Sequence, residues 1–298
     1  MKNTKKYIVV VNPRGGTRRG LAILESVKPI FDAAGAELKV HVTTHAGHVQ
    51  ELAKSSNLLD CDGFCVVGGD GTIHEAVGGL MQQEHSNSTP LGIIPAGTGN
   101  SVVKHLGSIE PLEAARRIVA GNAQSLDVIR VVMGDKFAYC VNIVGWGGVV
   151  DINCTAEKLR ILGPPRYIMS AMLHILRAKR RRAKLVLDGK TFEDDFVFVI
   201  ACNTKYTGKG MQIAPLADWN DGKMDVVVVR DTSRWQMSRL MKKIYNGSHL
   251  EMSCVEYHQV RSLEIISECC DNLNLDGELK GMTPVTTEVL PGALRIFA

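Results

Sequence analysis

The sequence predicts an α/β protein in two parts, an N-terminal parallel-sheet domain followed by a mostly antiparallel β-sandwich domain. Three observations predict it. Apolar runs alternate with helix-like stretches through the first 125 residues, which is the βαβ pattern of a parallel sheet. Past residue 126 the runs are β-rich and separated by turns, with helical spacing only around 156–178 and 233–246. The chain has 298 residues, 45% of them hydrophobic, enough to fill two cores. The expected division is therefore 1–125 and 126–298.

Residues 7–11 (YIVVV) read as a buried strand. The loop Asn12-Pro13-Arg14-Gly15-Gly16 follows, ahead of a helix over 21–34, and its glycines and cations suit a phosphate. A strand over 39–43, a helix over 48–55 and a buried strand over 64–67 come next. That strand runs into Gly68-Gly69-Asp70-Gly71-Thr72 and a helix over 75–81. Backbone N–H groups at such a helix start lack partners, the dipole favours negative charge, and missing Cβ atoms let a phosphate chain approach. Asp70 would repel that phosphate unless a metal ion or a proton-bearing nucleophile lay between them. The strand over 91–95 ends in a third loop, Ala96-Gly97-Thr98-Gly99-Asn100. Ligands of open α/β sheets bind beyond the carboxyl ends of the strands. Three such loops make the parallel part a nucleotide domain rather than a sheet with ordinary glycine turns. In the second part, strands are expected over 127–132, 137–144, 183–187, 196–201, 224–229, 263–266 and 294–297.

Charge is unevenly placed. Residues 177–184 contribute six cations against a net +4, so the rest of the chain is slightly acidic. The preceding residues 167–176 have helical apolar spacing, so an amphipathic helix ending in cations is expected, able to dock on an anionic membrane surface. A core helix with a solvated basic end fits equally well. Aromatic residues are not interleaved with the cations, which argues against nucleic acid as a partner. No apolar run reaches the ~18 residues of a membrane span, and the first residues lack a signal-peptide pattern. The expectation is a cytoplasmic protein with peripheral membrane association. Eight scattered cysteines without zinc spacing read as reduced core thiols.

Asn12-Pro13-Arg14-Gly15-Gly16, Gly68-Gly69-Asp70-Gly71-Thr72, Pro95-Ala96-Gly97-Thr98-Gly99-Asn100 and Asp276-Gly277-Glu278, in this order, resemble the diacylglycerol kinase catalytic-domain family, which includes sphingosine, ceramide and bacterial lipid kinases. The resemblance spans nearly the whole chain. It implies a nucleotide domain facing a β-sandwich domain across a cleft where ATP, Mg²⁺ and a lipid meet. By position it makes Asn12, Pro13, Arg14, Thr43, Gly69, Gly71, Thr72, Gly97, Thr98 and Gly99 nucleotide contacts, with Glu75 nearby. It makes Asp70 essential, Glu278 a proposed general base, and Asp127 and Asp276 their acidic partners. A structural Mg²⁺ is implied at Asp221, through its side chain, and at the carbonyls of Asp218 and Lys223; hard oxygen ligands suit that ion.

The stretch Trp146-Gly147-Gly148-Val149-Val150-Asp151-Ile152-Asn153, continuing to Tyr167, is most similar to the sphingosine and ceramide kinase branch. Arg160 and Arg166 match its phosphate-binding arginines, and such guanidinium groups can stabilise charge on transferring oxygens. Asp151 and Asn153 correspond to substrate positions. Sphingosine kinases carry an aspartate where this chain has Asn153, and a neutral amide offers no counter-ion to an amine. The expected acceptor is thus diacylglycerol, ceramide or another neutral lipid alcohol. Gly78 and Ser101 also depart from the commoner Asn and Asp. The alternatives are an NAD kinase, which shares the glycine loop, and an inactive lipid- or nucleotide-binding pseudokinase, although Asp70, Asp127, Asp276 and Glu278 are all present.

Overall fold

A computed structural model describes all residues except 1–3, 16–17, 108, 160–168, 171–172, 174–178 and 209. The chain divides into two compact units: Met1–Val128 with Trp219–Asp221 and Leu290–Ala298, and Ile129–Asp218 with Gly222–Val289.

The first unit opens with β1 (Lys6–Val11), α1 (Gly20–Ala33), β2 (Glu37–Val42), α2 (His48–Ser55), β3 (Gly63–Gly68), α3 (Asp70–Leu80) and β4 (Leu91–Pro95). The strands are parallel in the order β2-β1-β3-β4, and Ile296, near the end of the last strand, pairs with Leu91 of β4. The order reverses direction between β1 and β3, the point where open sheets place ligands. β1, β3 and β4 are buried on both faces, which is why their sequences are unbroken apolar runs. Leu24, Val27 and Phe31 of α1 pack with Tyr7, Val9, Val67, Ile94, Ile118 and Phe297. A Cβ on Gly63 would lie 2.8 Å from the Phe297 ring, so this glycine makes room for it. Two short helices not anticipated from the sequence follow β4: α4 (Ser101–His105) and α5 (Pro111–Ala120), the latter with proline in its first turn and Gly121 in the left-handed conformation at its end.

β5 (Ala123–Met133) carries the chain from the first unit to the second. There follow β6 (Lys136–Cys140), β7 (Ile143–Gly147), α6 (Gly148–Lys158), β8 (Arg181–Leu187), β9 (Lys190–Cys202), β10 (Met224–Arg230), α7 (Arg234–Lys243), β11 (Val255–Val260), β12 (Ser262–Ser267), β13 (Asn272–Leu275), β14 (Glu278–Met282) and β15 (Val285–Phe297). The pairings along β14-β13-β7-β9-β8-β12-β15 are antiparallel, as are those of β10 with β9 and β11. Alternation along β10 sends Val226 and Val228 into a core with Trp146 and Phe196, and Val227 and Val229 into another beneath α7, which contributes Met237 and Leu240. That two-sided burial explains the valine run. α7 begins with a capping box, Ser233 and Gln236 each bonding the other's backbone.

Four sequence expectations change. The helix expected over 75–81 begins at Asp70, so Asp70, Gly71 and Thr72 form its first turn rather than a loop ahead of it. The strand expected over 137–144 is two strands, because the N–H groups of Val141, Asn142 and Ile143 turn to a side chain described below. Of the basic segment, Arg181 and Arg182 belong to β8 and not to the end of a helix, and both are ion-paired. The helix expected over 167–176 lies largely outside the described residues. The cysteines are free thiols; burial pushes those of Cys65, Cys140 and Cys202 up, though Cys269 and Cys270 are exposed rather than in a core.

Candidate active site

Within the first unit, three loops at the carboxyl ends of β1, β3 and β4 are joined by direct contacts. Asn12 follows β1, and its N–H donates to the Val67 carbonyl at 3.1 Å. Its side chain donates through Nδ2 to Thr72 Oγ1 (3.3 Å) and accepts the Arg14 N–H through Oδ1 (3.0 Å), which folds the loop over α3. A Cβ on Gly97 would stand 2.5 Å from the Gly69 Cα, so the second and third loops touch backbone to backbone. A side chain at either glycine would fill the cradle. No side chain caps the start of α3, whose residue before the first turn is Gly69, and its leading N–H groups suit an anion. Pro13 is half-buried, Arg14 and Thr98 are exposed, and Gly97 and Gly99 are half-buried. Thr43 is buried just past β2, its N–H on the Val11 carbonyl at 2.9 Å.

Asp70 is the first residue of α3, where a carboxylate complements the helix dipole. Its Oδ1 accepts the Ser101 N–H at 2.8 Å, and the Ser101 hydroxyl is 3.4 Å from Oδ2. Ser101 opens α4 after Asn100, a non-glycine residue with φ 53°. Ser101 was missed as a site residue; its one sequence signal is the departure noted above, a serine where the resemblance implies that many diacylglycerol kinases carry an aspartate. Asn100 donates to the Gly97 carbonyl and its Oδ1 is buried without a partner among the described residues, an acceptor suited to a hydroxyl or a metal-bound water.

Two predicted residues bind backbone N–H groups through their carboxylates. The Glu75 carboxylate accepts the N–H groups of Gly47 (3.0 Å) and Val49 (3.3 Å), and so caps α2. Asp127 is buried on β5, accepts the Gly292 N–H at 2.7 Å and donates its own N–H to the Trp219 carbonyl at 2.7 Å. It thereby ties together the three stretches of sequence that make up the first unit.

In the second unit, Asp276 and Gly277 form the turn between β13 and β14, both with positive φ. The buried Asp276 carboxylate accepts the N–H groups of Val141 (3.1 Å), Asn142 (2.9 Å) and Ile143 (2.9 Å). After burial itself, its charge is the next cause that pushes the Cys140 thiol up. Glu278 begins β14 and pairs with Lys280 at 2.8 Å. Asp151 and Asn153 lie on α6 and are half-buried. Arg181 Nη2 donates to both Asp151 oxygens (2.8 and 2.9 Å), and its Nε donates to Asp271 (3.1 Å). This cluster lines a cavity of about 110 Å³ with Gly147, Val150, Cys154, Cys270 and Asn272. Arg160 and Arg166 lie outside the described residues.

Asp218 and Asp221 are exposed, on a turn that Gly222 completes with φ 73°, and Lys223 is half-buried. The implied donors are one carboxylate and two carbonyls, all hard oxygens; they fit Mg²⁺, which keeps several waters.

An α/β unit with glycine-rich loops at the carboxyl ends of its parallel strands is followed in the chain by an antiparallel β unit. Residues 6–131 match the family described as the diacylglycerol kinase catalytic domain, and residues 142–298 match the YegS C-terminal NAD kinase beta sandwich-like domain. The chain belongs to the diacylglycerol kinase catalytic-domain family. It is 32% identical to a "probable lipid kinase YegS-like" of Chromohalobacter salexigens, over 89% of this chain and 85% of that one. A solved diacylglycerol kinase from Bacillus anthracis str. Sterne superposes with a TM-score of 0.80 at 26% identity, covering 100% of this chain and 98% of that one. Similarity to sphingosine kinase 1 of Arabidopsis thaliana is 27% identity over 87% of this chain, which spans only 63% of that relative's length.

Proposed function

We propose that the protein is an ATP- and Mg²⁺-dependent lipid kinase that transfers the γ-phosphate to the hydroxyl of a neutral membrane lipid, with diacylglycerol the favoured acceptor. The observation that carries the reading is Asp70, held by the Ser101 N–H at the start of α3, beside glycine loops packed so closely that no Cβ fits between them. In this reading the loops of Asn12, Gly69, Gly71, Thr72, Gly97 and Gly99 bind the phosphates through backbone N–H groups, and Arg14 adds charge. Bound Mg²⁺ would neutralise phosphate oxygens. Asp70 takes the proton of the acceptor hydroxyl, and the Ser101 N–H orients the carboxylate for it. Glu278, Asp127 and Asp276 keep supporting roles, the last two by anchoring backbone. Arg160 and Arg166 are assigned to phosphate oxygens by resemblance alone. A structural Mg²⁺ at Asp221, Asp218 and Lys223 belongs to the same proposal.

The acceptor is argued from charge. Asn153 is neutral, and the Asp151 carboxylate is committed to Arg181, so neither offers a counter-ion to a sphingoid amine. The name of the Bacillus anthracis neighbour also favours diacylglycerol. The test is transfer of labelled γ-phosphate to diacylglycerol, ceramide, sphingosine and NAD in mixed micelles. Label on diacylglycerol, lost in Asp70→Asn, is the expected result; label on NAD alone, or nowhere, overturns the reading.

A further inference from the structure

The exposed face of α7 and the stretch after it was not singled out by any motif. The helix RWQMSRLMKK holds four cations, Arg234, Arg239, Lys242 and Lys243, and no acid. Its apolar side is spent on the core through Met237 and Leu240, with Ile244 just beyond. On the opposite side, Trp235, Arg239 and Lys242 recur at the spacing that places them in one stripe. Trp235 is 83% exposed, whereas Trp146 and Trp219 are buried. Tyr245, two residues past the helix, is also exposed. Only Lys243 of the four cations has an acidic partner among the described contacts, Glu251 at 3.3 Å. Arg180 reaches Asp231, three residues before the helix, so the exposed Lys179 and Arg180 stand at its foot.

A large aromatic ring left in water beside unpaired cations has a chemical fit. Tryptophan favours the interface of a bilayer, and each Lys or Arg near an anionic leaflet is attracted to it. We infer that the Trp235, Arg239 and Lys242 face of α7 docks the protein on anionic lipid headgroups. The apolar side of the helix is already buried in protein, so the helix does not sink into the bilayer; Trp235 and Tyr245 are the groups that enter it. The attachment is therefore shallow, reversible and sensitive to salt. It does not depend on the helix expected over 167–176, nor on Arg181, whose charge is spent on Asp151 and Asp271. It goes beyond the kinase reading and stands without it, since docking needs neither nucleotide nor acceptor.

The experiment uses the full chain without nucleotide, with vesicles of phosphatidylcholine alone or mixed with phosphatidylglycerol, at low salt. Binding is read by co-sedimentation and by tryptophan emission, to which Trp235 supplies the exposed component. The expected result is a blue shift with phosphatidylglycerol vesicles only, absent in Trp235→Ala. In Arg239→Gln/Lys242→Gln, affinity falls about 25-fold, about fivefold for each cation removed. These side chains are at the surface, and an unchanged urea transition shows that the variants are folded. Equal binding by wild type and both variants, or equal binding to phosphatidylcholine alone, overturns the inference. A shift caused by single-stranded RNA, with vesicles giving none, also overturns it and makes the face a nucleic-acid surface. Docking without phosphate transfer would leave this inference standing and remove the kinase reading; transfer without docking would do the reverse.

Discussion

Arg181 holds Asp151 in a two-point grip, Nη2 to both carboxylate oxygens at 2.8 and 2.9 Å, while its Nε reaches Asp271 at 3.1 Å. The arginine side chain is 11% exposed, and its Nη1 is buried without a partner among the described residues. An arginine so placed is part of the fold of the second unit. Arg181→Met strands two half-buried carboxylates and is expected to cost about 3 kcal/mol, read as a lower urea midpoint. It also frees Asp151, so on the kinase reading the ratio of sphingosine to diacylglycerol phosphorylation rises. An unchanged ratio would detach Asp151 from acceptor choice.

Asp70→Asn separates chemistry from structure. The amide oxygen still accepts the Ser101 N–H, so stability should stay within about 0.5 kcal/mol of wild type. On the kinase reading the proton acceptor is gone, and kcat should fall by about 10³-fold. Comparable loss of stability and activity would mean that Asp70 is a cap and nothing more.

Glu75 carries a contrary expectation. Its carboxylate serves the start of α2, so Glu75→Ala should lower stability by about 1 kcal/mol, as for a lost helix cap, and, on the kinase reading, leave the KM for ATP unchanged. Urea titration and initial rates on one preparation check both halves; a raised KM with unchanged stability would return Glu75 to the nucleotide.

Acid should weaken the second unit through Arg230. This side chain bonds Asp194 Oδ2 at 2.5 Å and Glu256 Oε2 at 3.2 Å, besides a closer contact from Nε to Glu256 Oε1. The Asp195 N–H, then Arg230, hold the Asp194 carboxyl below its usual range. Glu256 is lowered as well: its burial acts the other way, and Arg230 and His258 outweigh it. Carboxyls depressed in the folded state contribute stability above their ordinary values of about 4 and lose it as pH falls through the lower, folded values. The stability gap between wild type and Arg230→Met should therefore be full near neutral pH and close below about pH 4. A gap that stays constant over that range would show that Arg230 acts by packing on Phe192 and Phe196 instead.

Much of this was legible in the sequence for a physical reason. Strands buried on both faces, such as Phe64-Cys65-Val66-Val67 and the valines of β10, advertise themselves as apolar runs, and glycines at strand ends mark close backbone approach. Helix α4 was not legible, since it has only five residues, whereas α5 was overlooked although its proline start and glycine stop are written in the sequence. Pairings between distant positions left no local trace. Glu75 on α2, Asp276 on the β6–β7 turn and Arg181 on Asp151 each join residues 26 or more apart, and each turns a residue with an expected site or surface role into one that also holds backbone or charge. The basic segment misled for a related reason: a cluster of arginines gives net charge but not the acids that meet it.

The last strand has a consequence for how the protein is made. Leu294, Ile296 and Phe297 are buried in the first unit, and Phe297 fills the space that Gly63 leaves open. A ribosome delivers β1 to β4 early, yet the nascent parallel sheet lacks the strand that covers the far edge of β4 until residues 290–298 have emerged. By then the whole antiparallel unit has been synthesised. The glycine loops are thus among the earliest parts of the chain to appear and among the last to rest on a finished core, so cutting the gene after residue 128 would yield an open sheet edge instead of a free-standing domain.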